Sequence, residues 1–136
     1  MASLGKINLD DKLTYTSSYY NTGTGVLKKR KFNVDYTIRE LSNYSLVYSD
    51  NAAHNMLMNR FGRKNMLEFW KEKGTKVIFT KNNNWGNINA HDASIYMEEL
   101  YRFYKENHHC YDICELLRAM YLNYIEYYSR PYIFPL

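Results

Sequence analysis

At positions 49 to 51 the chain sets a hydroxyl, a carboxylate and a carboxamide in a row, Ser49-Asp50-Asn51, after Tyr48 and ahead of Ala52-Ala53-His54-Asn55-Met56-Leu57. A polar turn of this kind, between two segments of helical periodicity, can present the Ser49 hydroxyl and the Asn51 carboxamide side by side. The same residue types are what a helix start selects, because their side-chain oxygens accept amide hydrogens that a first turn leaves without partners. Asp50 serves either reading as a turn or cap residue. Two other clusters carry reactive types. Ser3-Leu4-Gly5-Lys6 places an amine one helical turn from a hydroxyl, and His108, His109, Cys110 and Cys114 lie within seven residues. Imidazole and thiolate are the usual ligands of zinc, but this spacing matches no standard structural site, so no metal and no cofactor are expected. Cys110 and Cys114 stand four apart on a predicted helix, a poor geometry for a bridge, which makes reduced thiols the expectation.

The elements that must hold the turn are legible from periodicity. Thr37 and Glu40 form a capping box, and Ile38, Leu41, Ser45 and Tyr48 fall at helical spacing, so one helix is expected from about Thr37 to Val47. A second from about Asp50 to Phe61 turns Ala53, Met56, Leu57 and Phe61 inward and stops at Gly62. A third, from about Arg63 to Lys73, should bury Met66, Leu67, Phe69 and Trp70 and end at Gly74. Asn89 caps a fourth, from about Ala90 to Lys105, with Ala93, Tyr96, Met97, Leu100, Phe103 and Tyr104 on its buried stripe. A fifth runs from about Tyr111 to Tyr124. Ahead of them, residues 5–35 lack helical periodicity. Leu13-Thr14-Tyr15-Thr16 reads as a short extended piece and Asn21-Thr22-Gly23-Thr24-Gly25 as a turn. The expectation is one mainly α-helical domain over residues 1–136, with an irregular arm at 1–36, a helical core at 37–126 and an apolar tail at 127–136.

With those flanks the turn resembles the Ser-Asp-Asn motif of the penicillin-interacting serine hydrolases, the class A beta-lactamase type in particular. Tyr36-Thr37-Ile38-Arg39-Glu40-Leu41 looks like that family's helix into the turn, and an Ala-Ala-x-Asn-x-Leu pattern follows it and ends at Phe61-Gly62. The likeness runs from about Gly5 to about Met120 and covers the all-α part of the fold. It implies that Ser49 relays a proton between the nucleophile system and a departing amide nitrogen. Asn51 would hold the substrate's acylamino oxygen and contact the catalytic lysine, and Asp50 would brace the turn. Asn84 and Trp85, in the loop Asn82-Asn83-Asn84-Trp85-Gly86-Asn87, are further candidate substrate contacts. The implied ligand of an intact member is a beta-lactam or a peptidoglycan peptide, and its implied location is outside the cytoplasm.

The chain also departs from the family pattern. In that family a Ser-x-x-Lys nucleophile opens a long buried helix roughly sixty residues before the turn, whereas Ser3 precedes Ser49 by 46 and is followed by Gly5 and a polar stretch. Ser3 is therefore not expected to be the nucleophile, and no Lys-Thr-Gly occurs in these 136 residues. Class A beta-lactamases activate the deacylating water with a loop glutamate, and no Asp or Glu stands between Glu72 and Asp92. The chain by itself is expected to be inactive, its rival reading being a non-enzymatic helical interaction module. Hydrophobic residues at 46% and charged residues at 24% are globular values, without an apolar run of membrane-span length. The first residues show no signal-peptide core. A net charge of +4 gathers in Lys28-Lys29-Arg30-Lys31, one short basic run that reads as a solvated loop, so no nucleic-acid partner is expected. The apolar tail, with Tyr127, Tyr128, Tyr132, Ile133, Phe134 and Leu136, leads to the expectation of a homo-oligomer.

Overall fold

The computed structural model describes residues 7–76, 78–79 and 86–106. Within them the chain is mainly α: four α-helices, two short antiparallel strand pairs and two single 3-10 turns, at Ser17–Tyr19 and Leu27–Lys29. Strand β1 (Lys12–Tyr15) pairs with β2 (Val34–Thr37), Leu13 opposite Tyr36. Helix α1 (Ile38–Val47) follows without a loop. Its start is set by the Thr37 box: the Glu40 amide donates to Thr37 Oγ1 at 3.1 Å, and the Thr37 amide donates to Glu40 Oε2 at 2.8 Å. Helix α2 (Asn51–Phe61) ends at Gly62, whose φ of 79° suits a residue without a Cβ. Helix α3 (Arg63–Glu72) follows at once, then β3 (Ile78–Phe79), β4 (Gly86–Asn87) and α4 (Ala90–Glu106). The Asp92 amide donates to Asn89 Oδ1 at 2.8 Å, so Asn89 caps α4.

The core lies where the first strands meet α1 and α2. Tyr15, Leu27, Tyr36, Leu41, Ala52, Ala53 and Met56 form it, with Leu13, Tyr19, Tyr44 and Leu57 packed alongside. Three of those seven buried side chains, Tyr15, Leu27 and Tyr36, come from residues 7–36, so the arm with its short extended pieces supplies part of the core. Each large apolar member contributes about 1.5–3 kcal/mol by burial. The basic run lies on the turn that carries Leu27: Leu27 is fully buried, while Lys28, Lys29, Arg30 and Lys31 are exposed.

The inward faces expected of α3 and α4 need correction. No residue of α3 is buried, and Phe69, Met97 and Leu100 are 44%, 66% and 38% exposed. The two helices meet along a narrow seam, Trp70 against Tyr96 with ring centroids 3.9 Å apart, tied by Lys73 Nζ to Glu99 Oε2 at 2.6 Å. Beside the seam runs an open groove of about 660 Å³ that Phe69, Met97, Leu100 and Phe103 help to line. These side chains share the face that periodicity assigns to the inside, and among the described residues that face borders the groove. Among the described residues no helix is long and apolar enough to cross a membrane. The fifth helix and the tail, with His108, His109, Cys110, Cys114, Ser3 and Lys6, lie outside the described residues.

Candidate functional site

The turn between α1 and α2 is built by the end of one helix and the start of the next. At the end of α1 the amides of Tyr48 and Asp50 both donate to the Tyr44 carbonyl, at 3.2 and 3.1 Å. Closing the helix this way puts Ser49 at φ 49°, the left-handed region where glycine is usual. For a residue with a Cβ that conformation costs about 1–2 kcal/mol, so Ser49 sits there because its surroundings hold it. Its side chain is exposed, and Tyr48 before it is exposed as well.

Asp50 is the device that holds it. The residue is 1% exposed, and its carboxylate faces two directions at once. Oδ1 accepts from the amides of Ala52 and Ala53 at 2.9 and 3.0 Å, which caps α2. Oδ2 accepts from the amides of Val26 and Leu27 at 2.6 and 2.8 Å, which anchors the loop ahead of the basic run. All four donors are main-chain groups, so a buried charge is met by dipoles that cannot rotate away. Gly25 permits the approach: its φ is 130°, and a Cβ on it would come within 2.8 Å of Asp50 Cα. Below the turn lies Tyr15, fully buried, whose hydroxyl has no hydrogen-bond partner among the described residues. Burial raises the Tyr15 pKa, and the nearby Asp50 charge raises it further, so the phenol stays neutral.

Asn51 opens α2 half-buried. Its amide donates to the Thr24 carbonyl at 3.2 Å, and its Nδ2 donates to Asn21 Oδ1 at 3.3 Å. Asn21 Oδ1 also accepts from the Gly23 amide at 2.8 Å, and Lys28 Nζ donates to the Gly23 carbonyl at 2.7 Å. The site therefore consists of an exposed hydroxyl at Ser49, a carboxamide at Asn51, and a loop over 21–27 clamped against both by Asp50. Such an arrangement can offer hydrogen bonds to a ligand's carbonyl and amide and can pass a proton through the serine hydroxyl.

Of the residues expected from sequence, Ser49, Asp50 and Asn51 come together in this turn, and Asn84 and Trp85 lie outside the described residues. Asn21, Gly23, Gly25 and the amides of Val26 and Leu27 were not anticipated. The one signal for them was the pair of glycines two apart in Asn21-Thr22-Gly23-Thr24-Gly25, which marks a close backbone approach as well as a turn. The α3–α4 groove is a separate feature: no residue of the turn lines it, and its Lys73, Arg102 and Glu99 are already paired with one another or with Glu98. Among the described residues no group of three or more His, Cys, Asp or Glu is placed to hold a metal.

The family model Beta-lactamase2, described as the beta-lactamase enzyme family, matches residues 1–128. Among solved structures, PBP-A is similar at 20% identity and a TM-score of 0.66, over 75% of this chain and 41% of that one. A PBP-A mutant captured as an acyl-enzyme complex with penicillin G gives 21% identity, the same TM-score of 0.66 and the same 75% and 41% coverage. A beta-lactamase from Sphaerobacter thermophilus DSM 20745 gives 16% identity and a TM-score of 0.69, over 87% of this chain and 48% of that one. At these identities the likeness is one of fold, and the chain spans less than half the length of each of the three. No curated protein matches.

Proposed function

Because the chain belongs to the beta-lactamase enzyme family, we propose that it supplies the helical half of a serine-hydrolase site for a beta-lactam or a peptidoglycan peptide. Ser49 and Asn51 are its contribution to that site. The observation that carries this reading is the four-donor clip on Asp50, which holds Ser49 exposed in a left-handed conformation and Asn51 half-buried beside it. A residue serving only as a helix cap has no need of the second pair of donors, from a loop 23 and 24 residues earlier. In the working site the Ser49 hydroxyl passes a proton toward the departing amide nitrogen, and the Asn51 carboxamide holds the acylamino group of the ligand. Ser3-Leu4-Gly5-Lys6 stands 46 residues before Ser49 rather than the roughly sixty of the family, no Lys-Thr-Gly occurs in these 136 residues, and the stretch between Glu72 and Asp92 offers no carboxylate to deprotonate a water. The chain by itself then binds weakly and turns over nothing.

The test is a titration of penicillin G into the ¹⁵N-labelled full chain, up to about 1 mM, where weak contacts become visible. Shifts are expected at residues 49–51 and in the 21–27 loop, and they should vanish in Asn51→Ala. Shifts confined to the α3–α4 groove, or none at all, would overturn the reading. A chromogenic cephalosporin should remain unhydrolysed above buffer; hydrolysis that disappears in Ser3→Ala would show Ser3 to be the nucleophile. Self-association belongs to the same proposal, and the exposure of Phe69, Met97, Leu100 and Tyr101 supports it. Light scattering at tens of micromolar decides it, a monodisperse monomer counting against it.

A further inference from the structure

We propose that Asn21 is a positioning residue for Asn51, fixing which end of its carboxamide faces a ligand. This rests on reading the Ser49-Asp50-Asn51 turn as a ligand site. Asn21 lies 30 residues earlier in the chain, in the loop that Asp50 anchors. Its own orientation is set by the backbone: the Gly23 amide donates to Asn21 Oδ1 at 2.8 Å, so the oxygen end must stand there. An amide oxygen has two lone pairs. The second faces Asn51 at 3.3 Å, and only a donor suits it, so the Asn51 nitrogen points at the loop. Turning the Asn51 carboxamide over would set oxygen against oxygen and lose the bond.

The consequence is a defined polarity. One Nδ2 hydrogen of Asn51 is spent on Asn21, while the other hydrogen and Oδ1 have no partner among the described residues. They remain as one donor and one acceptor of known order. Gly23 keeps the space in which the two side chains meet, because a Cβ there would collide with Asn51 Nδ2 and come within 2.8 Å of Asn21 Oδ1. The loop itself does not depend on Asn21 for its place. It is held by Asp50 through the Val26 and Leu27 amides and by Lys28 through the Gly23 carbonyl. Removing the Asn21 side chain should therefore release the Asn51 carboxamide and leave the turn standing.

The experiment follows the side-chain amide of Asn51 by NMR in the ¹⁵N-labelled full chain, the signal being assigned by its loss in Asn51→Asp. In Asn21→Ala its order parameter should fall from the rigid range of about 0.8 to below about 0.6, with the backbone signals of residues 26, 27 and 50–53 in place. Asn21→Asp, whose carboxylate still accepts from both neighbours, should restore it. If Asn21→Ala does not fold, Asn21→Ser carries the same test, since its hydroxyl can keep the bond to Gly23 but stops short of Asn51. An Asn51 amide equally ordered in wild type and in the shortened variants would overturn the proposal. Penicillin G, added as a separate arm, tests the ligand reading alone: no response in any variant sinks that reading, while the order parameters still decide the role of Asn21.

Discussion

Replacing Asp50 with asparagine separates a helix cap from a two-sided clip. Asparagine and aspartate cap helices about equally well, so a residue that only starts α2 should tolerate the change within a few tenths of a kcal/mol. The Asp50 carboxylate, however, accepts from two amides through each oxygen. Asparagine has one oxygen. If that oxygen keeps Ala52 and Ala53, its NH₂ group is turned on the amides of Val26 and Leu27, donor against donor. Leu27 and Ala53 are both fully buried, so neither orientation leaves both abandoned donors to water. Two unmet amides at about 1–3 kcal/mol each, reduced where half-buried Val26 can find water, come to about 2–4 kcal/mol. Asp50→Ala should cost about 1 kcal/mol more, since the cap is lost as well. Urea unfolding is the assay. For a slope of about 2 kcal/mol per molar the Asp50→Asn midpoint should fall by roughly 1–2 M with the slope unchanged. A loss of less than about 0.5 kcal/mol, the range of an ordinary surface substitution, would refute the clip and with it the physical basis for the shape of the site.

Gly25→Ala attacks the same contact from the loop side. With φ at 130° and a Cβ driven to within 2.8 Å of Asp50 Cα, it should cost about 2 kcal/mol or more and speed hydrogen exchange at the Leu27 amide; unchanged exchange there would count against the packing described. Tyr15→Phe should act in the opposite direction, because it deletes a buried hydroxyl without a hydrogen-bond partner among the described residues: calorimetry should show stability unchanged or raised by up to about 1 kcal/mol, and a loss larger than that would mean the hydroxyl is bonded. The Thr37 amide and hydroxyl hold the Glu40 carboxyl below its ordinary pKa. A depressed folded-state pKa means the box's contribution is complete above the unfolded value, about 4.3, and is lost as pH falls through the folded one. The stability gap between wild type and Glu40→Gln should accordingly shrink on acidification below about pH 4.3, and a gap that widens there would reverse the sign of the argument.

Helices α1, α2 and α4 could be bounded from sequence because their signals are local. Thr37 with Glu40, Asn89 before Ala90, and Gly62 after Phe61 each act within one turn of the residue they affect. What could not be read is what depends on contacts across the chain. Strand β2 carries Tyr36 and Thr37, which look like the approach to a helix; it is a strand because Lys12–Tyr15, far earlier in the chain, supplies its partner. Leu27, beside four basic residues, gives no sign of being fully buried until Asp50 is seen holding its amide. For α3 and α4, periodicity identified which side chains share a face. Whether a face is covered depends on neighbours, and among the described residues it borders a groove.

At the turn, the two readings that the sequence left side by side turn out to share one atom group. The Asp50 carboxylate caps α2 with Oδ1 and anchors the 21–27 loop with Oδ2, so folding of the helix start and shaping of the site are not separable events. The left-handed Ser49 follows from this coupling. The Asp50 amide reaches the Tyr44 carbonyl while its side chain reaches two directions, and the chain reverses at residue 49 to bring both about. A hydroxyl at that position is thereby left exposed at some conformational cost, where glycine would be the cheaper residue for the backbone alone. On the proposed reading, a serine rather than a glycine stands there because its hydroxyl acts on a ligand.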